Sequence, residues 1–448
     1  MRNFFLGLLV VLPFLSFSQQ EKKQVTFTPD MHLRVYWMST SYPGEYKDDY
    51  ALGTSFLLGG KVSFKEQWQV RAGFRTYANL SSSDLSALDP VSNGSNRYEV
   101  GLFDLLDKED RFFGKLESIS LSYTADNWGF SLGRMGVHSD WVNSQDGRLS
   151  PTGIEGGNIW YETKSDWRLS AWGIGKMSVR GTSEWLSVGE SIGVFPGARD
   201  VNGQPSQYPG NTASDWIGIL EVSKKWGEVK LNMSNTLVQN ISNTLWLQTE
   251  KSWKNSEATT IWLWGIQAGF QSGLGEGGNP DFNLQYKNPK DRNWVFSTRV
   301  GYEVPHWNFH LNYTKVGGQG RWLSPREWGK DAWYTFIPRE RNEGNSSVDA
   351  LTAFAAYSLL QDRLKFFAHL GIHWLPALDS PEANKYNMPS YRQLNLGVKY
   401  QPAMINKLDF QLLVMNKEAL GDKVLNPRQI YNKVQLIHVN LIANWRWN

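Results

Sequence analysis

The chain of 448 residues carries 46 lysines and arginines against 43 aspartates and glutamates. This near balance argues against a nucleic-acid-binding protein, which usually has a concentrated basic excess. The chain has no cysteine, which excludes disulfides, thiolate metal sites and cysteine nucleophiles. With a mean hydropathy of −0.45 and no long apolar run after its N-terminus, it is also not a helical membrane protein.

The N-terminus has the pattern of a secretory signal. Arg2 supplies a positive charge, and the apolar segment Phe4–Phe17 is followed by small residues suited to cleavage. A short membrane anchor is the alternative, but the segment is too short for a spanning helix and Pro13 would kink it. We therefore predict a signal peptide over residues 1–18 and one domain over residues 19–448.

The rest of the chain repeats a period-two pattern over segments of about ten residues, each ended by a turn. In the segment Trp68–Arg75, apolar side chains alternate with glutamine, glycine and arginine. Aromatic residues make up 14% of the chain, as expected for a barrel with an aromatic outer wall. The sequence thus predicts an all-β, transmembrane antiparallel barrel of about eighteen strands, starting near residues 31, 51, 68, 112, 128, 158, 167, 215, 229, 243, 256, 293, 307, 347, 363, 390, 407 and 433.

The predicted connections alternate between short and long. Short turns on one side and long loops on the other are typical of outer-membrane barrels, with turns periplasmic and loops extracellular. The segment 433–447 alternates strongly and is predicted to close the barrel by pairing with residues 31–38. The boundaries near 240–256 are the least defined, and residues 97–105 could form an additional hairpin within a loop.

The alternation also predicts which way side chains face. Six large aromatic residues are expected to face lipid: Trp68, Phe74, Trp128, Trp307, Phe309 and Trp445. Seven basic residues fall on the opposite, luminal side: Arg34, Arg71, Arg75, Arg168, Arg299, Lys365 and Lys399. They could simply solvate a wet lumen, or they could form a positive track that guides anions. The smaller number of inward acidic residues favours the track.

No constellation for catalysis or metal binding is predicted. Histidines spaced i, i+4 occur at His306 and His310 and at His369 and His373. On a strand this spacing places them ~13 Å apart, too far to share an ion. The glycine-rich segment Gly273–Gly278 lacks the following helix of a phosphate-binding loop. We therefore expect no cofactor, no metal and no enzymatic activity.

The third long loop, residues 136–157, is polar and rich in glycine. It contains Asn143-Ser-Gln-Asp-Gly-Arg-Leu-Ser-Pro151 after the pair Gly133-Arg134. This pattern resembles the outer membrane porin D (OprD-like) family, as do the segments Leu33–Trp37 and Tyr391–Tyr400. An ordinary surface loop is the alternative interpretation of this segment.

The resemblance implies a monomeric barrel of eighteen strands, a third loop that constricts the pore, a ladder of inward basic residues and small solutes that often carry a carboxylate. By position it implies that the constriction includes Asn143, Asp146, Arg148 and Glu155. A trimer is the alternative assembly.

Together these observations predict a porin for passive diffusion of small hydrophilic solutes, carboxylate-bearing or zwitterionic, such as amino acids and small organic acids. The predicted location is the outer membrane of a Gram-negative cell, reached through a Sec-type signal peptide, with lipid, polar solutes and the barrel-assembly machinery as partners. One alternative is a sugar porin, in which inward aromatics such as Tyr36 and Trp172 stack on sugar rings. A barrel enzyme, such as a phospholipase, and a plugged structural barrel are the others.

Overall fold

The computed structural model describes residues 25–145, 147–254, 259–340 and 342–447. The predicted signal peptide, residues 1–18, lies outside these ranges. Within them, eighteen long antiparallel strands follow one another around a single sheet. They are β1 Val25–Ser41, β2 Asp49–Phe64, β3 Trp68–Ser82, β4 Phe112–Thr124, β5 Trp128–Met135, β6 Gly153–Glu162, β7 Trp167–Ser178, β8 Ile217–Trp226, β9 Val229–Val238, β10 Ser242–Lys254, β11 Ile261–Gly273, β12 Arg292–Val304, β13 Trp307–Gln319, β14 Val348–Leu359, β15 Leu364–Trp374, β16 Tyr391–Tyr400, β17 Leu408–Ala419 and β18 Leu436–Trp447.

The sheet closes on itself because β1 pairs with β18. The register runs from Met31 opposite Trp447 to Ser41 opposite Ile437. The predicted barrel, its strand number and its closing pair are therefore confirmed. A closed sheet leaves no unpaired strand edge, which is the condition for a β-structure to cross lipid.

Some predicted boundaries were wrong. The first strand begins at Val25 and not near 31, and β6 begins at Gly153 and not near 158. Residues 97–105 form no hairpin; they contain one turn of 3-10 helix, Val100–Leu102. A two-residue strand, Leu186–Ser187, pairs with the end of β7 inside a long loop.

The two ends of the barrel differ as predicted. One end, called here the turn end, carries short connections at 65–67, 125–127, 163–166, 227–228, 305–306, 360–363 and 401–407. The other, the loop end, carries long connections at 83–111, 136–152, 179–216, 274–291, 320–347, 375–390 and 420–435, together with shorter ones at 42–48 and 239–241. The chain therefore concentrates its irregular structure at one mouth of the barrel.

The outer wall has the predicted orientation. Five of the six aromatic side chains expected to face lipid are between 37% and 49% exposed: Trp68, Phe74, Trp128, Trp307 and Trp445. The sixth, Phe309, is half-buried because its ring stacks on Trp307 of the same face at 5.3 Å. Among the described residues, no helix is long and apolar enough to cross a membrane.

The interior is filled mainly by loops rather than by wall side chains. Two of them, the first inner loop (136–152) and the second inner loop (320–347), contribute apolar side chains to buried clusters inside the barrel. An eighteen-stranded barrel would otherwise enclose a wide aqueous channel. The loops therefore decide how much of the lumen stays open.

Candidate pore and solute-binding site

One end of the first inner loop is held against β1 and β2. Arg34 Nη1 donates to the main-chain oxygen of Arg148 at 2.6 Å, and Ser55 Oγ donates to the oxygen of Leu149 at 2.8 Å. Leu149 is fully buried and would clash with a side chain at Gly53, where a Cβ would lie 2.9 Å from its Cδ1. The missing side chain at this wall position is therefore what lets the loop lie flat on the strands.

The other end of the first inner loop is held on the far side of the lumen. Asp140 Oδ2 accepts hydrogen bonds from Ser234 Oγ at 2.6 Å and from Asn232 Nδ2 at 3.1 Å. Both partners lie on β9, eight positions from β1 in the ring of eighteen strands. Burial raises the pKa of Asp140, and these two hydrogen bonds oppose that shift. The loop thus crosses the lumen instead of covering it.

The second inner loop runs along the inside of the wall. The main-chain nitrogen of Tyr334 donates to Gln267 Oε1 of β11 at 3.1 Å. Further along, the oxygen of Pro338 accepts from Asn395 Nδ2 of β16 at 2.9 Å. Arg339 then reaches Asn440 Oδ1 of β18 at 2.9 Å. This loop therefore lines the lumen from β11 round to β18.

Asn143 joins the two inner loops. Its main-chain nitrogen donates to the oxygen of Trp328 at 2.9 Å, and its Oδ1 accepts from the nitrogen of Lys330 at 3.0 Å. Its Nδ2 donates back to the Lys330 oxygen at 3.1 Å. The residue predicted to belong to the constriction therefore fastens the two loops together.

Four buried tryptophans reinforce this junction. Trp141 of the first inner loop lies 5.1 to 5.3 Å, ring centre to ring centre, from Trp246 of β10 and from Trp322 and Trp333 of the second inner loop. Tilted and edge-to-face pairs of this kind add about 0.5–1.5 kcal/mol each beyond area burial. Both loops are thus packed against the wall as one unit.

Among the described residues, three larger cavities lie next to the inner loops. The mouth cavity, on the loop side, has a volume of about 110 Å³. The basic cavity, against β14–β18, measures about 430 Å³, and the mixed cavity, against β6–β12, about 770 Å³. Phe336 lines all three, and Gln145 and Arg339 line both the mouth cavity and the basic cavity. Phe336 therefore borders each of the three cavities.

The mouth cavity is strongly basic. Its described lining includes one acidic residue, Glu340, and aromatic rings from Tyr98, Phe195, Phe336 and Tyr386. Six basic residues line it: Arg97, Arg148, Arg180, Arg326, Arg339 and Lys417. An anion that enters this space meets an excess of positive charge at short range, where little water screens it.

Four of the seven predicted basic-track residues line a cavity. Lys365 and Lys399 line the basic cavity, whose described lining includes no acidic side chain. Arg168 and Arg299 line the mixed cavity, where Asp140, Glu221, Glu250 and Asp331 lie among the lining residues. The basic track therefore continues on one wall, whereas the opposite wall carries both signs of charge.

The other three residues of the predicted basic track are Arg34, Arg71 and Arg75. They face inward as predicted, but they do not line the three cavities. Arg34 is buried under the first inner loop, which it anchors. Arg75 is also buried, and its Nη2 donates to Glu117 Oε1 at 3.0 Å. Arg71 forms an ion pair with Asp30. None of them lines the three cavities: Arg34 and Arg75 are buried, and Arg71 is 48% exposed but lies outside these cavities.

The residues carried over from the family motif fall in different places. Arg148 lines the mouth cavity. Asp146 lies outside the described residues. Glu155 does not belong to the loop: this residue lies in β6, which begins two positions earlier, and it pairs with Arg134 of β5 at 2.8 Å. The predicted loop 136–157 therefore ends at residue 152.

Sequence reasoning missed the part of the second inner loop that carries Arg326, Phe336 and Arg339. The segment was identified as a long loop, but no local pattern distinguishes a loop that folds inward from one that stays outside. No group of three or more His, Asp or Glu residues among the described part of the chain could hold a metal ion.

No protein-family profile matches this chain, and no curated protein sequence matches it. Solved structures do: OccAB3 of Acinetobacter baumannii has a TM-score of 0.73 at 12% identity, over 94% of this chain and 98% of that one. OccK8 (OprE) of Pseudomonas aeruginosa gives 0.69 at 15%, and OpdK of the same organism, solved with vanillate, gives 0.69 at 13%; the coverage is 94% and 98% for both. These neighbours are porins of the OprD family, so the resemblance is confirmed at the level of the fold.

Proposed function

We propose that this protein is an outer-membrane porin through which small hydrophilic solutes diffuse. The observation that carries the proposal is a closed barrel whose lumen holds a basic mouth cavity and two larger cavities, all three of which are lined by Phe336. The exposed aromatic wall suits contact with lipid, and a barrel of this kind places its long loops outside the cell and its short turns in the periplasm. A solute would enter at the mouth cavity and leave at the turn end.

The proposed solutes are small anions and zwitterions that carry a carboxylate. Supporting this, Arg339 lines both the mouth cavity and the basic cavity, where Lys365 and Lys399 continue the positive lining. In the mixed cavity, Asp140 and Glu221 provide partners for an ammonium group. The similar barrel OpdK was solved with vanillate, an organic anion.

A sugar porin has less support, because protein groups already cover the inward aromatic faces. The guanidinium of Arg168 lies 4.4 Å from the ring centre of Trp160, and that of Arg299 lies 4.4 Å from the ring centre of Tyr334. Trp172 does line the mixed cavity, but its indole nitrogen is directed to Glu221 at 3.4 Å. A sugar ring would have to displace these contacts in order to stack.

Three further expectations from the sequence stay predictions. They are export through the signal peptide, assembly as a monomer with help from the barrel-assembly machinery, and the lack of enzymatic activity. Each is independent of the pore geometry described above.

Single-channel recording of the purified protein in planar lipid bilayers tests the proposal. A potassium chloride gradient should give discrete channels and a reversal potential that indicates preference for chloride over potassium. Liposomes that contain the protein should swell faster in acetate or glycinate than in a neutral sugar of similar size. Bilayers without channels would contradict the porin proposal, and a preference for potassium would contradict its anionic substrate class.

A further inference from the structure

Basic side chains outnumber acidic side chains in the described lining of the mouth cavity. Arg148, Arg326, Arg339 and Lys417 line it from three separate segments of the chain, namely the two inner loops and β17. Among the described residues, Glu340 acts electrostatically on Lys417, and the hydrogen bonds of Arg148, Arg326 and Arg339 go to neutral oxygens. Glu340 is the single acidic residue in the described lining. The described lining of the cavity therefore carries an excess of positive charge, with six basic residues against one acidic residue.

Neutral groups hold these cations in place. Arg326 Nη2 donates to the oxygen of Pro196 at 2.9 Å, and its guanidinium lies 4.9 Å from the ring centre of Tyr386. Arg148 Nη1 donates to the oxygen of Gly147 at 3.0 Å. A carbonyl oxygen or an aromatic face orients a guanidinium without cancelling its charge, and it leaves other N–H groups available.

Lys417, on β17 of the barrel wall, also lies against a neutral group. Its Nζ lies 4.0 Å from the ring centre of Tyr391, and the side chain is almost fully buried. Arg339 donates to Asn440 Oδ1 at 2.9 Å, which is also a neutral acceptor. Glu340, which interacts electrostatically with Lys417, is the single acidic side chain in the described lining, so the excess of buried cations favours an anion in the cavity.

The size and charge of the cavity specify the kind of anion. Its volume of about 110 Å³ is the smallest of the three cavities, so the ligand has to be small. A monoanion would balance one of the four cations. A compact anion with two charged groups would balance two and could accept charge-assisted hydrogen bonds from more than one arginine.

We propose that the mouth cavity is a binding site for compact oxyanions with two negative charges, of which a four-carbon dicarboxylate is the best fit. The inference rests on the proposed function and narrows it, because the site then enriches dianions at the external mouth of the pore. Monocarboxylates pass the same cavity with weaker binding.

The test uses the full-length protein in planar bilayers with potassium chloride on both sides. Succinate and propionate are added in turn to the loop-end side, and the concentration that halves the chloride current is measured. We expect succinate to act at a concentration at least tenfold lower than propionate, equivalent to about 1.4 kcal/mol. Inorganic phosphate is a third probe: an effect as strong as that of succinate would extend the site to phosphate dianions, and a weaker one would restrict it to dicarboxylates.

Variants assign the effect to the cavity. R148Q/R326Q should still form channels but should need at least tenfold more succinate, whereas R148K/R326K should retain most of the preference because it keeps the charge. R148Q alone covers the case in which the double variant does not fold, since Arg148 is only half-buried. The control R292Q removes an exposed loop-end arginine that lines none of the three cavities and should behave as wild type.

The outcomes separate this inference from the function on which it rests. Channels that respond to succinate and propionate at the same concentration would overturn the dianion site and leave the porin proposal standing. A succinate effect that survives R148Q and R148Q/R326Q unchanged would place the binding elsewhere and also overturn the site. A protein that forms no channels would overturn both.

Discussion

The anchoring of the first inner loop leads to a quantitative prediction for R34Q/S55A. The substitutions remove the two hydrogen bonds that hold Arg148 and Leu149 of this loop against β1 and β2. A bond from a charged donor contributes about 1.5–3 kcal/mol and a neutral one about 1 kcal/mol. Together they stabilise the seated loop by about 2.5–4 kcal/mol, so their loss should raise the ratio of displaced to seated loop by about two to three orders of magnitude.

A displaced loop opens the lumen, so the variant should show frequent transitions to a state of higher conductance in single-channel records. R446Q is the matched control: it also removes an arginine of the barrel wall, whose Nη1 lies 2.7 Å from Asp409 Oδ1, but this arginine does not contact the loop. Records of R34Q/S55A that match those of wild type and R446Q would refute the reasoning that these bonds hold the loop in the pore.

Other predictions concern stability, pH and selectivity. E117Q leaves the buried Arg75 without this carboxylate, which should lower the free energy of unfolding in urea by about 3–5 kcal/mol; a loss below 1 kcal/mol would contradict the role of the pair. Burial in loop 83–111 raises the pKa of Glu99 to about 7 from 4.5, so the folded state should lose stability as pH rises from 4.5 to 7. In E99Q the temperature of thermal unfolding should therefore change less with pH over that range than in wild type. Equal pH dependence in E99Q and wild type would exclude Glu99 as the cause. K365Q/K399Q should lower the permeability ratio of chloride to potassium severalfold, and an unchanged reversal potential would remove the basic cavity from the anion route.

Much of the barrel could be predicted from side-chain alternation, because one wall meets lipid and the other meets water. The segment that begins at Trp68 shows why: its aromatic and aliphatic residues face outward, and Arg71 and Arg75 face inward, as their positions in the register require. The closing pair of β1 and β18 followed from the same pattern. Lipid imposes this pattern on every strand, so a single sequence reveals it.

The pore itself could be predicted only in part. Arg75 shares the inward face with Lys365, yet it is buried in an ion pair with Glu117 while Lys365 lines a cavity. The difference depends on which loop lies over which strand, a contact between distant segments that no local pattern encodes. For the same reason Phe336 was not singled out, although it lines all three cavities.

The central claim is that solutes pass Phe336, and labelling of a single cysteine tests it most directly. The chain has no cysteine, so F336C carries one thiol that a charged methanethiosulfonate reagent can modify. V424C, at a side chain that is 99% exposed on a loop outside the three cavities, is the control. We predict that the reagent, added to either side of the bilayer, reduces the chloride current through F336C and leaves V424C unchanged. Complete modification of F336C without a change in current would contradict the account.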